Sequence, residues 1–122
     1  MTEADGRLIT ERLFDIAARD PEKELIIDPI FGRFTYAEAA EQVRNLAWGL
    51  SRNGFVAGDV VILQLPNWAP FIFLHLALTC IGAITGNIPF VYRQREVSNI
   101  LELTGAKALI VPRVFRGFDF AV

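Results

Sequence analysis

The sequence predicts an α/β fold: half of a doubly wound parallel sheet (βαβαβ), preceded by an N-terminal helix and a small hairpin. Three short apolar segments have the length and composition of buried strands, and a proline closes each of them directly. Helical segments over Trp68–Ile81 and Arg95–Thr104 separate them, an order that is typical of parallel pairing. The predicted strands are Val60–Leu65, Ala83–Ile88 and Ala108–Val111.

The longest charge-free run, residues 60–92, raises the question of a membrane span. The helix predicted inside it has Asn67 as its cap, tolerates Pro70 in its first turn and ends before Gly82. A helix over Trp68–Ile81 spans about 21 Å at about 1.5 Å per residue, whereas crossing the hydrocarbon layer takes about 30 Å. We therefore predict a buried core helix and no membrane span.

Two elements are predicted before the first helix of the sheet unit. Ile9 and Phe14 flank Thr10 at the spacing of a hydrophobic staple, so Thr10 is predicted to cap a short helix over Glu11–Arg19. The segments Leu25–Ile27 and Arg33–Phe34, separated by the turn sequence DPIFG, predict the small hairpin.

A capping box marks the start of the next helix. Thr35 and Glu38 have the spacing at which hydroxyl and carboxylate each satisfy a backbone N–H of the first turn. Apolar residues at 43, 46, 47 and 50 then form one helical face, and Asn53 and Gly54 end the helix.

Composition excludes several function classes. With 12 basic and 14 acidic residues, the chain has a net charge of −2 and lacks the clustered cations of a nucleic-acid partner. The N-terminus is polar and mixed in charge, unlike a secretory signal. The single cysteine, Cys80, favours a reducing compartment, and we predict a cytoplasmic protein. Mean hydropathy is high at +0.35, so we expect further protein, or self-association, to cover part of the surface.

The titratable residues within the apolar run are interpreted as structural. His75 has no nearby acidic residue or second histidine to orient it or share a metal, which favours a packed or hydrogen-bonded core histidine over a pocket residue. Cys80 lies near the end of the predicted helix, where a buried, inert thiol is expected.

Other candidates are weighed in the same way. Asn67 follows a strand, where ligands of open α/β sheets bind, yet helix capping explains it. Trp48 and Trp68 are predicted to pack, and Arg113 and Arg116 to lie on a surface or subdomain contact. We therefore predict no catalytic, cofactor-binding or metal-binding residue in this chain.

Short strings in a fixed order carry a family resemblance. They are FTYAE at 34–38, GDVV at 58–61, LPN at 65–67, IGAI at 81–84 and YRQREV at 92–97. In this order the chain resembles the N-terminal segment of the AMP-forming adenylating enzymes, which include acyl-CoA synthetases and peptide-synthetase adenylation domains. The strings at 82–97 and 111–120 are most similar to ligases for cyclohexanecarboxylate and other short or medium acyl acids.

The resemblance implies an enzyme that uses ATP, Mg²⁺ and CoA to convert a carboxylate to an acyl-adenylate and then to an acyl-CoA. The family's phosphate loop, substrate motif, ribose-binding Asp, hinge and catalytic Lys are downstream motifs that do not occur in this sequence. Only one lysine, Lys107, follows residue 23. Residues 1–122 are thus expected to be a single N-terminal subdomain, which is a fragment of the ligase. Its expected partner is the remainder of the ligase, and the chain alone is expected to be inactive.

Two other functions stay open at this point. The chain is alternatively a naturally short, non-catalytic module that uses a ligase-like half-fold to bind a partner or a small acyl compound. Peripheral membrane association through Trp68–Ile81 is disfavoured, because that helix is apolar all round and lacks a basic face.

Overall fold

The structure, a computed structural model, describes residues 9–66, 68–89, 91–112, 114–115 and 118–119. Helices and strands alternate in the predicted α/β manner. Along the chain they are α1 (Ile9–Arg19), β1 (Glu24–Asp28), β2 (Gly32–Thr35), α2 (Tyr36–Arg52), β3 (Val60–Leu63), α3 (Ala69–Cys80), β4 (Ile84–Asn87), α4 (Gln94–Thr104), β5 (Ala108–Ile110), β6 (Val114–Phe115) and β7 (Phe118–Asp119).

The predicted parallel half-sheet is confirmed. Its three strands lie in the order β4-β3-β5, and β3 pairs in parallel with both neighbours. Leu63 is aligned with Asn87 on one side and with Ile110 on the other. Each strand is one or two residues shorter than predicted. All three leave the ladder before the proline that follows, and β4 also begins one residue later than predicted, at Ile84.

Two hairpins lie outside this sheet. The predicted one is confirmed as the antiparallel pair β1–β2, which turns through residues 29–31. The second, β6–β7, is a pair of two-residue strands in a stretch for which no element was predicted. A strand of two residues is too short for the alternation of apolar and polar residues that predicts a strand from sequence.

The core explains why residues 60–92 carry no charge. Helix α3 contributes buried side chains on several sides, with Phe73 and Ala77 facing one cluster and Leu78 the other. The first cluster joins α3 to Leu13 of α1 and Val43 of α2, among others. An apolar helix enclosed in this way is a core helix. Among the described residues, none of the helices has the length and apolarity to span a membrane.

Two predicted helix starts need correction. Helix α1 already includes Ile9, and Thr10 lies inside it with only 3% of its surface exposed, so Thr10 is not the cap. Its hydroxyl instead contacts the thiol of Cys80. Helix α4 begins at Gln94, where the Glu96 carboxylate accepts a hydrogen bond from the backbone N–H of Arg93 at 2.8 Å.

Candidate functional site

The carboxyl ends of the parallel strands form the edge at which open α/β sheets bind ligands. Leu63, Asn87 and Ile110 end β3, β4 and β5 at this edge, since all three strands run in the same direction and are in register. The segments that leave the edge are the loop before α3, the loop before α4, and the segment after β5. The position of these three segments decides what the edge can hold.

Gln64 fastens the loop before α4 to the end of the central strand. The residue is 3% exposed, and its backbone N–H extends the β3–β5 ladder by donating to the carbonyl of Ile110 at 2.9 Å. Its side-chain amide donates to the carbonyls of Pro89 at 2.9 Å and Tyr92 at 3.0 Å. One buried residue therefore connects the ends of β3 and β5, through its backbone, to the loop before α4, through its side chain.

Asp28 connects the start of α3 to the hairpin. One carboxylate oxygen accepts from the N–H groups of Ile30 at 2.7 Å and Phe31 at 2.9 Å, while the other accepts from the N–H of Ala69 at 2.7 Å. The hydrogen bond from Phe31, followed by those from Ala69 and Ile30, lowers the pKa of Asp28 against the opposing effect of burial. A carboxylate is suited to this place because it accepts several N–H bonds at the positive end of a helix.

The prediction that Asn67 caps α3 is wrong. The capping position belongs to Trp68, which has an extended backbone and no side-chain capping bond. Asp28 instead takes the first helical N–H from a distance of 41 residues along the chain. Asn67 itself lies outside the described residues.

The two tryptophans behave differently. Trp68 is half-buried and its ring lies 5.7 Å from that of Phe31, centroid to centroid, which agrees with the packing interpretation. Trp48 is 67% exposed on α2, so the prediction that it packs is wrong. Arg113 and Arg116 lie outside the described residues.

His75 is held by neighbours on α3 and β4. Its Nδ1 lies 3.1 Å from the hydroxyl oxygen of Thr85, and its ring is stacked near that of Phe71 at 6.3 Å. This is a half-buried, hydrogen-bonded histidine, as interpreted from the sequence.

Cys80 corrects another expectation, since it is exposed at the end of α3 and not buried. Partial desolvation nevertheless raises the pKa of its thiol, with an opposing contribution from the hydrogen bond with Thr10. A thiol with a raised pKa is a poor nucleophile at neutral pH. The expectation of an unreactive cysteine therefore stands, although for a different reason.

Lys107 lies at the opposite, amino end of the sheet. Its backbone N–H donates to the carbonyl of Val60 at 2.7 Å, and its ammonium group binds the Asp59 carboxylate at 3.0 Å and the carbonyl of Gly54. A bond from the N–H of Val56 and then the bond from Lys107 lower the pKa of Asp59. Lys107 is thus a structural cation and does not reach the carboxyl edge.

The described part of the chain supplies supports for the carboxyl edge more than reactive groups. Within these residues no group of three or more His, Cys, Asp or Glu side chains could hold a metal ion. Sequence reasoning missed both Asp28 and Gln64. Each had a local signal: Asp28 opens an Asx-turn sequence, and Gln64 is a polar residue inside a buried apolar run. Their partners, however, depend on the tertiary fold.

Comparison with known proteins identifies the class to which this fold belongs. The model for AMP-binding enzymes matches residues 13–120. The chain therefore belongs to the AMP-binding enzyme family, whose matched relatives are adenylate-forming ligases. This confirms the resemblance inferred from the sequence.

The curated relatives include aryl and acyl ligases. Pyochelin synthase PchD of Pseudomonas aeruginosa is 35% identical over 109 residues, which are 89% of this chain and 20% of the relative. The salicyl-AMP ligase / salicyl-S-ArCP synthetase of Mycobacterium tuberculosis is 33% identical over 119 residues, or 94% and 21%. A mitochondrial medium-chain acyl-CoA ligase of Macaca fascicularis is 32% identical over 101 residues, or 82% and 16%. The chain spans about a fifth of the length of the curated relatives it matches.

Solved structures give the same result for the fold. The N-terminal subdomain of Klebsiella oxytoca NpsA, in complex with 3-hydroxybenzoyl-AMSN, matches with a TM-score of 0.79 and 28% identity over 90% of this chain and 28% of that one. A Mycobacterium tuberculosis fatty acyl CoA synthetase matches with a TM-score of 0.79 and 30% identity over 84% and 21%. The half-sheet with its preceding helix and hairpin is therefore the fold of an adenylation N-terminal subdomain.

Proposed function

We propose that this chain is the N-terminal scaffold of an enzyme that joins a carboxylic acid to CoA through an acyl-adenylate. In the first step the carboxylate attacks the α-phosphorus of ATP and pyrophosphate leaves; in the second the CoA thiol attacks the acyl carbon and AMP leaves. The observation that carries this proposal is the match of 90% of the chain to an adenylation N-terminal subdomain.

The role assigned to this chain is positional. Gln64 and Asp28 set the loops at the carboxyl edge, and the remainder of the ligase is proposed to dock there and to bring the groups that bind ATP, Mg²⁺ and CoA. A scaffold of this kind is expected to be inactive alone, since the sequence lacks the family's phosphate loop and catalytic lysine. We place the enzyme in the cytoplasm, in line with its single cysteine.

The acid is proposed to be a cyclic or medium-chain carboxylate. The matched relatives include a salicyl-AMP ligase and a medium-chain acyl-CoA ligase, so both ring and chain acids occur among them. The sequence at 82–97 resembles ligases for cyclohexanecarboxylate. Cyclohexanecarboxylate, benzoate, salicylate and octanoate form the panel that separates these possibilities.

The test compares two proteins: the 122-residue chain and the native gene product, captured from source cells with an antibody to this chain. Exchange of labelled pyrophosphate into ATP is measured for each acid of the panel. The native product is expected to exceed 13.6 kDa on an immunoblot and to catalyse exchange with one acid, whereas the chain alone is not. Acid-dependent exchange by the 122-residue chain would overturn the scaffold proposal, and a native product without exchange would overturn the ligase proposal.

A further inference from the structure

A cavity of about 520 Å³ lies between helices α1 and α3, with β1 at its base. Its volume falls within the range of small-molecule sites, roughly 300–1,000 Å³. The lining is mostly aliphatic. Residues that contribute to it include Ile9, Leu13, Ile16, Leu25, Ile72 and Leu76.

Three polar side chains also line this cavity: Arg12, Tyr36 and His75. No carboxylate is among its lining residues within the described part of the chain. The cavity therefore combines an aliphatic interior with a guanidinium, an imidazole and a phenol.

Arg12 and His75 approach from facing helices. The hydrogen bond between Thr10, near the start of α1, and Cys80, at the end of α3, joins the two helices beside the cavity. Arg12 of α1 and His75 of α3 both line the cavity. The Thr85 hydroxyl lies 3.1 Å from Nδ1 of His75; in the tautomer in which this hydroxyl donates to Nδ1, Nε2 carries the proton and donates to a ligand.

We propose that this cavity binds an amphipathic anion: a medium-length alkyl chain with a carboxylate head. The alkyl chain lies among the aliphatic side chains, where burial of each methylene is favourable. The head accepts hydrogen bonds from Arg12 and His75. Arginine has five N–H donors, so it can hold a carboxylate beside its other contacts. A neutral alcohol of the same length lacks the charge-assisted bonds and a cationic amine is repelled.

This inference does not depend on the proposed ligase function, because binding is measured without ATP or CoA. Decanoate, octanoate and 1-decanol are titrated below their aggregation limits into the ¹⁵N-labelled 122-residue chain. Dissociation constants come from calorimetry, and the location comes from amide shifts. Decanoate is expected to shift residues of α1 and α3, and to bind about tenfold more tightly than 1-decanol because of its charged head. Octanoate is expected to bind about fifteenfold more weakly than decanoate, since two methylenes are lost at roughly fourfold each.

Two variants and one control separate the head from the tail. Arg12→Gln is expected to weaken decanoate about fivefold and leave 1-decanol unchanged, while Ile16→Trp fills the groove and abolishes both. Arg19→Gln, on the same helix but outside the cavity lining, is expected to change neither. Circular dichroism verifies that each variant is folded.

Three results would overturn the proposal. Equal binding of decanoate and 1-decanol would show that the cavity does not recognise an anionic head group. Equal effects of Arg12→Gln and Arg19→Gln would show that Arg12 does not bind the ligand. Absence of any amide shift on α1 and α3 with decanoate would show that the groove takes a different occupant, such as another protein segment.

Discussion

The side chain of Asp28 joins the β1–β2 turn to the start of α3 through three hydrogen bonds. We predict that Asp28→Asn lowers the free energy of unfolding at pH 7, because the amide offers one acceptor oxygen where the carboxylate offers two. Asp20→Asn is the matched control, at an exposed acidic residue just after α1. Chemical denaturation of the three proteins measures the difference.

The same carboxylate predicts a pH dependence with a definite sign. The pKa of Asp28 is lowered in the folded state from its ordinary value of 3.8, so its contribution is fully present above that value and is lost as the pH falls through the lower, folded pKa. The stability gap between the wild type and Asp28→Asn should therefore be constant from neutral pH down to the ordinary carboxyl range and shrink only below it. A gap that is already closing near pH 6 would assign the effect to another group.

Gln64→Leu tests the second support of the carboxyl edge. The substitution removes two hydrogen bonds, to the carbonyls of Pro89 and Tyr92, each of which keeps one other donor. We expect a loss of about 1–3 kcal/mol for the two bonds, partly offset by the apolar replacement. Gln42→Leu, at an exposed glutamine of α2, is the control. Hydrogen exchange should also accelerate around Tyr92 in Gln64→Leu alone. Unchanged exchange there would mean that the loop is held by other contacts.

At the scale of elements, helix α2 has the most complete cap. Thr35 accepts from the N–H of Glu38 at 3.1 Å, and the Glu38 carboxylate accepts from the N–H of Thr35 at 2.8 Å. We predict that Thr35→Ala lowers the free energy of unfolding by about 1 kcal/mol. Thr104→Ala should be close to neutral, because that hydroxyl bonds back to the carbonyl of Ile100 within its own helix. Thermal unfolding followed by far-UV circular dichroism compares the two; equal losses would contradict the capping role.

The turn after α3 depends on a glycine for two separable reasons. Gly82 has φ +81°, and a Cβ added there would lie 3.0 Å from Cβ of Ala57. Gly54 has φ +92° with open space around the same position, so Gly54→Ala measures backbone strain alone. We expect about 1–2 kcal/mol of destabilisation from Gly54→Ala and a larger loss from Gly82→Ala, determined by urea denaturation. Equal losses would show that Ala57 moves aside without cost.

Elements whose signals are local were the ones that the sequence predicted well. The capping box at Thr35 and the apolar strand beginning at Val60 need only neighbours in sequence, and both are confirmed. The start of α1 was misplaced because burial of Thr10 beside Cys80 depends on packing between helices. Asn67 was assigned as the cap of α3 for the same reason. Asp28, which accepts the hydrogen bond from the first helical N–H, is close to α3 only in the folded chain.

At the scale of the whole molecule, the family was recoverable from the sequence although no site residue was. Family membership follows from short strings at turns and helix starts, and these positions are constrained by backbone geometry wherever the fold occurs. The supports of the carboxyl edge are single polar side chains whose partners lie 25 to 41 residues away. A local sequence pattern does not predict which residues so far apart will form a hydrogen bond. Such residues are therefore identified only from the folded structure.

The described surface leaves large apolar side chains uncovered at the end of the half-sheet. Strand β4 has β3 as its single neighbour among the described strands, and its first residue, Ile84, is 56% exposed. An edge strand with a free ladder and an apolar side chain is a template for pairing with another chain. We therefore predict that the 122-residue chain self-associates at tens of micromolar, with a mass that rises with concentration in light scattering.

The edge-strand origin of this association is tested by placing one charge on it. Ile84→Lys is expected to shift the mass toward the 13.6 kDa monomer, because a lysine on an exposed edge opposes strand pairing. Val56→Lys replaces a side chain of similar exposure, 59%, in the loop before β3, and should leave association unchanged. Equal effects of the two variants would assign association to general apolarity instead of the sheet edge, and a wild-type chain that stays monomeric throughout would contradict the prediction itself.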